Sequence, residues 1–308
     1  MMSFQHARQL FDRAGRVATS GVLEHRRQPR GDWACYHATG DSVELFEAGF
    51  HDFSYERHFH DSYAIGVTLS GVQRFWCRGT THDSVPGDVV VIPPGEVHDG
   101  QSGTTGGYTY RMFYVSESVL HDVVGDVLQR PALGIPLRRV PVVRDPSLAR
   151  ELDAAWRAAR TDASSLAADE LFAQACARLL TGEPESAPDG RGVENRATLI
   201  RVRNYLRVHV GKRMSMQELA AIGGMSRFQL TRQFQQLFGL PLHAYHMQLR
   251  LHEARRRLRA GEAIAAVALE LGFADQSHLN RRFKGAFGVA PGAYSASLRA
   301  PGLRVLNA

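Results

Sequence analysis

Apolar positions along this chain fall into two textures. From Val43 to Val115, short apolar or alternating runs (SVELFEAGF, SYAIGVTLSG, VQRFWCRG, DVVVIPPGE, YTYRMFYV) are separated by turn residues. Regular short strands punctuated by Gly and Pro predict an all-β barrel or sandwich. After Asp145-Pro146 the period lengthens. LARELDAAWRAAR and SLAADELFAQACARLLTG repeat apolar residues every three or four positions (Leu148, Leu152, Ala155, Trp156; Leu171, Phe172, Ala175, Leu179), which predicts two antiparallel helices. GEPESAPDGRG has no apolar anchor and reads as a linker. Everything from about Asn195 onward is patterned as helix. Residues 1–30 read as a poorly ordered extension with one weak amphipathic helix (Phe4, Leu10, Phe11, Val17) and a basic loop. The expected units are therefore 1–30, a β unit at 31–144, a helical hairpin at 145–181, a linker at 182–194 and an all-α unit at 195–298.

The all-α unit contains a repeat. SRFQLTRQFQQLFGLPLHAY (226–245) aligns with DQSHLNRRFKGAFGVAPGAY (275–294). Leu230, Phe234, Phe238, Gly239 and Tyr245 return as Leu279, Phe283, Phe287, Gly288 and Tyr294. Each copy reads as a helix, a Gly-containing turn and a capped helix. Ser226 and Asp275 are good N-caps, and Gly239 and Gly288 suit a left-handed residue just past the helix end. A helix, tight turn and helix of this size is the helix-turn-helix unit, and a long helix over about 242–260 joins the two copies.

At about 100° per residue, Leu230, Phe234 and Leu237 fall on one stripe, as do Leu279, Phe283 and Ala286. Phe228, Arg232 and Gln235 lie opposite in the first copy, with Thr231 on the flank. Ser277, Arg281 and Lys284 lie opposite in the second, with Asn280 on the flank. The apolar stripes are core. The outer faces each present an Arg, which can bond guanine O6 and N7 with two hydrogen bonds in a major groove. Phe228 suits a thymine methyl group. Arg255, Arg256, Arg257 and Arg259 on the long helix read either as phosphate contacts or as a solvated face.

Charge sharpens this reading. The 308 residues carry a net +6, unevenly spread. From Asn195 onward there are 18 Lys and Arg against 5 Asp and Glu, giving +13, while the first 194 residues carry −7. A basic third beside an acidic remainder points to a module for a polyanion joined to something else. The acidic part is expected to contact the basic part, with high salt relieving the contact. With 44% apolar and 22% charged residues the chain is neither disordered nor fibrous. No run of 18 apolar residues occurs. Cys35, Cys77 and Cys176 are far apart and form no CxxC, which fits a reducing, cytoplasmic setting.

The stretch from about Leu199 to Tyr294 resembles the two-motif DNA-binding domain of AraC/XylS-type transcription regulators. The resemblance is carried by LAAIGGMSRFQLTRQFQQLFG, by HMQLRLHEARRRL and by IAAVALELGFADQSHLNRRFKGAFGVAPGAY. It implies that the second helix of each copy enters a successive major groove on one face of double-stranded DNA. Its base-reading positions fall on Phe228, Thr231 and Arg232, and on Gln276, Ser277 and Arg281. With their neighbours Arg227, Gln235, Asn280 and Lys284 these form the candidate DNA-binding set.

In the β region, His58-Phe-His60 places two imidazoles on one strand face. DVVVIPPGEVH then delivers His98. The spacing of Gly87, Pro93, Gly95 and His98 resembles the second motif of cupins, and His58, His60 and Gly71 resemble the first. HFHDSYAIGVTLSGVQRF with PGDVVVIPPGEVHDG looks like the cupin-like sensor of AraC-type regulators, which implies a jelly-roll barrel with an effector pocket. His58, His60, Tyr63, Arg74, Trp76, His98, Arg111 and Tyr114 are pocket candidates, and an Arg there favours a carboxylate-bearing effector.

Three readings of the histidines stay open: a divalent metal site, a metal-free ligand pocket, or structure alone. Metal-binding cupins usually carry a Glu after the second His. Here Ala64 and Ile65 stand there, with Glu56 as a stand-in on the face of His58. Apart from that conditional metal, no cofactor is expected. The rival to a regulator is a cupin metalloenzyme fused to a DNA-binding domain. No catalytic triad, P-loop or GxGxxG signature supports it. The hairpin at 145–181 carries more Leu and Ala than one hairpin needs, and the resemblance implies homodimerisation there or on the barrel. RNA polymerase is the further partner if the chain activates transcription, and no membrane contact is expected.

Overall fold

The computed structural model describes residues 31–38, 43–128, 140–161, 166–179, 195–212, 214–299 and 305–306. The expected N-terminal extension and the linker at 182–194 lie outside the described residues. The β half holds β1 (Trp33–Ala38), β2 (Val43–Phe50), β3 (Tyr55–His58), β4 (Tyr63–Gly71), β5 (Gln73–Cys77), β6 (Thr80–Ser84), β7 (Asp88–Ile92), β8 (His98–Ser102) and β9 (Tyr108–Val115). Then come α1 (Glu117–Leu128), β10 (Val142–Arg144), α2 (Pro146–Thr161) and α3 (Leu166–Leu179). The helical half holds α4 (Arg196–Val208), α5 (Met216–Gly223), α6 (Arg227–Phe238), α7 (Leu242–Arg259), α8 (Ile264–Glu270), α9 (Gln276–Phe287) and α10 (Pro291–Arg299). A short β11 (Val305–Leu306) pairs back onto β1.

The strands form two separate sheets, ordered β10-β7-β4-β9-β2-β1-β11 and β3-β8-β5-β6. Among the described strands none belongs to both sheets, so the expectation of a closed barrel is corrected to an open sandwich. The large sheet is buried on both faces, which is why its strands read as nearly continuous apolar runs. One face (Val43, Leu45, Ile65, Val89, Phe113, Val115) packs under α1, α2 and α3 through Leu120, Leu152, Trp156 and Phe172. The apolar stripes of the hairpin are thus spent on the sheet of the same chain. Leu166, 72% exposed, is the large apolar residue of α2 and α3 left in solvent. α1 was not anticipated, although Leu120, Val123 and Val124 repeat at helical spacing.

The opposite face (Tyr36, Phe46, Phe50, Tyr108, Tyr110, Tyr114) meets the small sheet at Phe75 and Cys77. The small sheet covers only part of it. The same cluster continues into Leu251, Ala254, Phe283, Phe287 and Tyr294 of the helical half. The helical half therefore plugs the open side of the sandwich. Burying these large side chains contributes roughly 1.5–3 kcal/mol each relative to leaving them exposed.

Within the helical half the caps are in place. Ser226 Oγ accepts from the Gln229 N–H, and Gln229 Oε1 accepts from the Ser226 N–H, forming a reciprocal box at the start of α6. Asp275 accepts from the His278 N–H at 2.6 Å to start α9. Gly239 and Gly288 end these helices at φ of 75° and 76°, a backbone state that disfavours any residue with a Cβ.

Candidate effector and DNA-binding sites

The three histidines converge between the sheets. His58 and His98 are direct cross-strand partners on β3 and β8, with ring centroids 4.4 Å apart. His60 lies just past the end of β3, 4.9 Å from each of the other two rings. Its carbonyl accepts from the Gly95 N–H at 2.8 Å, which ties it to the Pro93-Pro94-Gly95 turn that leads to His98. One ring nitrogen from each histidine lies within 4.8 Å of the others, and all three side chains are buried. Burial, reinforced by neighbouring imidazoles, holds His58 and His60 well below the usual histidine range. Burial pushes His98 down to about 4. All three are therefore neutral at pH 7.

The other pocket candidates do not join them. Tyr114 does approach, 4.8 Å from His60. Tyr63 and Arg111 sit on the opposite face of the large sheet, because their strands place odd-numbered residues toward the helices. Tyr63 packs in the helix-covered core. Arg111 is held by Glu47 at 3.0 Å and by Asp153 of α2 at 2.5 Å, and stacks on Trp156. Arg74 and Trp76 face outward from the small sheet, opposite Phe75 and Cys77. Arg74 makes a two-pronged pair with Asp83, and Trp76 lies under Arg57. Both line a surface groove of about 300 Å³ with Tyr55, Asp99 and Gln101. Neither Arg reaches the histidines, so the argument for a carboxylate-bearing effector loses its cation. Glu56 is no stand-in ligand either. A register shift between Tyr55 and His58 turns it outward, where its carboxylate lies 3.3 Å from Arg282.

Sequence reasoning missed the junction between the halves. Glu44 shares strand parity with Phe46, Ala48 and Phe50, so it points into the sandwich interior. There it pairs with Arg255, accepts from Arg259 at 3.1 Å and accepts from the Tyr294 hydroxyl at 2.6 Å. The Arg255 guanidinium lies 5.1–5.7 Å from the rings of Tyr36, Tyr114, Phe287 and Tyr294. The Tyr36 hydroxyl donates to the Phe287 carbonyl, and burial pushes its pKa up to about 12. The contact expected between acidic and basic halves thus exists, but its centre is buried, where salt screens little. A lone carboxylate on an otherwise apolar strand face was the available signal. The basic run on α7 is likewise spent within the chain: Arg256 pairs with Glu253, and Arg257 with Glu262 and Glu270.

The α6 candidates, and Ser277 and Arg281 of α9, lie exposed where the wheel placed them, whereas Lys284, expected on the outer face, does not. On α6, Arg227, Phe228, Thr231, Arg232 and Gln235 are exposed, Phe228 at 75%. The Thr231 hydroxyl donates to the Arg227 carbonyl at 2.9 Å. On α9, Gln276, Ser277 and Arg281 are exposed, while Asn280 and Lys284 are half-buried.

Similarity to known proteins agrees with both halves. Residues 42–176 match the AraC-like ligand binding domain family, and residues 219–297 match a helix-turn-helix domain family. Over 225 residues the chain is 23% identical to an HTH-type transcriptional regulator of Bacillus subtilis, YbfI, covering 73% of this chain and 81% of that protein. It is 31% identical over 133 residues to the transcriptional activator RhaS of Klebsiella pneumoniae, covering 42% of this chain and 46% of RhaS. In fold it is similar to ToxT of Vibrio cholerae, with a TM-score of 0.56 at 12% identity over 84% of this chain and 98% of that one. One ToxT structure of this fold, with a TM-score of 0.50, was solved with an unsaturated fatty acid bound. No described helix is long and apolar enough to cross a membrane. A ligand-binding half fused to a helix-turn-helix half, in a chain whose relatives regulate transcription, sets the enzyme reading aside. The chain belongs to the AraC/XylS family of transcription regulators, with a β half of the AraC-like ligand-binding type and a helical half that binds double-stranded DNA.

Proposed function

We propose that both helix-turn-helix units, α5–α6 and α8–α9, read DNA together, with α6 and α9 in successive major grooves on one side of the duplex. The observation that carries this reading is the matched pair of exposed faces. Arg232 and Arg281 occupy equivalent positions on helices that each start on a side-chain N-cap and end on a left-handed Gly, and both are exposed. Arg232 and Arg281 read guanines, Phe228 meets a thymine methyl group, and Gln276 and Ser277 bond base edges or phosphates. Arg227, Thr231, Gln235, Asn280 and Lys284 fix register on the backbone and flanking bases.

The effector enters the sandwich at His58, His60 and His98, which lie beside Tyr114 of an aromatic face that the DNA-binding half also touches. The regulator acts in the cytoplasm, where its DNA is. Two copies on one operator raise avidity through effective concentration, and RNA polymerase is the further partner where the chain activates. By linkage, an effector that changes DNA affinity is itself bound more or less tightly by the same factor when DNA is present.

Selection of duplexes from a random pool by the full chain tests the reading. One sequence class enriched by the wild type and lost with Arg232→Ala or Arg281→Ala supports it. Enrichment that survives both substitutions contradicts it.

A further inference from the structure

His58, His60 and His98 form a buried cluster of imidazoles beside aromatic rings, and two of them are oriented by the backbone. His58 Nδ1 lies 2.7 Å from the Glu56 carbonyl, and His98 Nδ1 lies 2.9 Å from the Glu96 carbonyl. A carbonyl only accepts, so each ring carries its proton on Nδ1 and leaves Nε2 as a bare lone pair. The two bonds are equivalent, each reaching back two residues. His60 Nδ1 is buried with no hydrogen-bond partner.

The two backbone bonds leave two bare Nε2 atoms beside a third ring whose Nδ1 has no partner. Unpaired buried polar atoms cost stability unless something satisfies them. A ring whose far nitrogen donates to a backbone carbonyl is the usual support of a metal-ligating histidine. A purely structural trio explains burial, but not two lone pairs held in the same way toward a third unsatisfied ring.

We propose that His58, His60 and His98 bind one divalent first-row transition-metal ion, and that this ion is the effector, passed to the DNA-binding half through Phe59. The effector clause rests on the regulator reading above; the metal clause does not. Three imidazoles suit zinc, cobalt, nickel or copper and disfavour magnesium and calcium, which want oxygen. No carboxylate joins the set, since Glu56 faces Arg282 on the outside. A fourth position is left for water or a small anion.

The path out of the site is short. Phe59 stands between two of the donors in sequence and faces the other way. Its ring stacks 5.0 Å from Tyr245 and 5.2 Å from His252, both on α7. Its carbonyl accepts from His252 Nε2 at 2.8 Å. α7 joins the two helix-turn-helix units, and Phe59 is also part of the first unit's core, beside Leu230 and Phe234. Residues 58–60 cannot be drawn onto an ion without shifting the ring that seats this helix.

The test uses tag-free, full-length protein stripped with a chelator, titrated with Co²⁺ and then Zn²⁺. Expected are one equivalent of cobalt, visible bands of a nitrogen-rich, low-coordinate site, displacement by Zn²⁺, and no response to Mg²⁺. His98→Ala should weaken cobalt binding by at least about 100-fold, more than loss of a supporting residue does. Absence of stoichiometric cobalt binding by the folded wild type overturns the metal site, whatever the variant does. Cobalt binding unchanged in a folded His98→Ala protein overturns it too.

For the effector role, duplexes enriched by the full chain are titrated with and without Zn²⁺. The expected change in affinity is about 5-fold or more. Phe59→Leu should keep the cobalt bands and lose that change. Equal affinities with and without Zn²⁺ overturn the effector role. Duplex binding without any metal binding overturns the metal and leaves the regulator reading standing. Metal binding with no duplex enriched in either state overturns the regulator reading and the effector role together.

Discussion

The two repeated helix pairs, α5–α6 and α8–α9, share a sequence repeat and a side-chain N-cap on the second helix, yet the β half holds them differently. The first unit meets the β half at a point: Phe59 and Val97 enter its core, and Val97 abuts Gly239 at the end of α6. The outer face of α6 is left wholly in solvent. The second unit merges with the sandwich. Its core runs into the inner face of the large sheet, Gly285 of α9 abuts Glu56, Gly288 abuts Tyr55, and Arg282 pairs with Glu56. A duplicated module has thus become asymmetric through what docks on it. A change in the β half reaches the second unit by a broad contact and the first through a small patch of Phe59, Trp76 and Val97.

The largest effect that breaks this comparison is expected from Glu44→Ala. It strands Arg255, buried at 8% exposure, and removes partners of Arg259 and Tyr294. Breaking a buried pair from one side costs about 3–5 kcal/mol. The urea midpoint should fall accordingly, and amide exchange should quicken in α9 and α10 before α5 and α6. Equal quickening in both units would remove the asymmetry.

Next in size are Arg232→Ala and Arg281→Ala. Each should weaken specific duplex binding by about 1–3 kcal/mol and relax preference at one base pair. A titration against matched and random duplexes checks this, since equal losses on both would make the residue a phosphate contact.

Ser226→Ala and Asp275→Ala each remove one N-cap, at a cost of about 1 kcal/mol in thermal or urea unfolding. The Ser226 change also undoes the box with Gln229, so it should cost the more of the two. The smallest effect belongs to Glu56→Gln. Its pair with Arg282 is exposed, so less than about 1 kcal/mol of stability is at stake. DNA affinity should rise slightly at low salt, where Arg282 gains freedom to meet phosphate, and the difference should vanish at high salt.

Much of this was legible in the chain. The helical half reads directly because its stripes, caps and terminal glycines are local signals, and the exposed faces of α6 and α9 follow from the same wheel. The histidine trio was legible as spacing. Strand parity was not, because the large sheet is buried on both faces. Without polar alternation nothing in YTYRMFYV or SYAIGVTLSG says which side Arg111 or Tyr63 takes. Glu56 was misplaced by the register shift in β3, which no residue type announces. The junction around Glu44, Arg255 and Tyr294 joins residues more than 200 positions apart, beyond the reach of any periodicity.

The central claim is that two unequally held units read one stretch of DNA. Hydroxyl-radical footprinting of an enriched duplex by the full chain tests it most directly. The account predicts two protected patches about one helical turn apart on the same side of the duplex, with Arg232→Ala clearing one and Arg281→Ala the other. A single patch that only Arg232→Ala clears would contradict it.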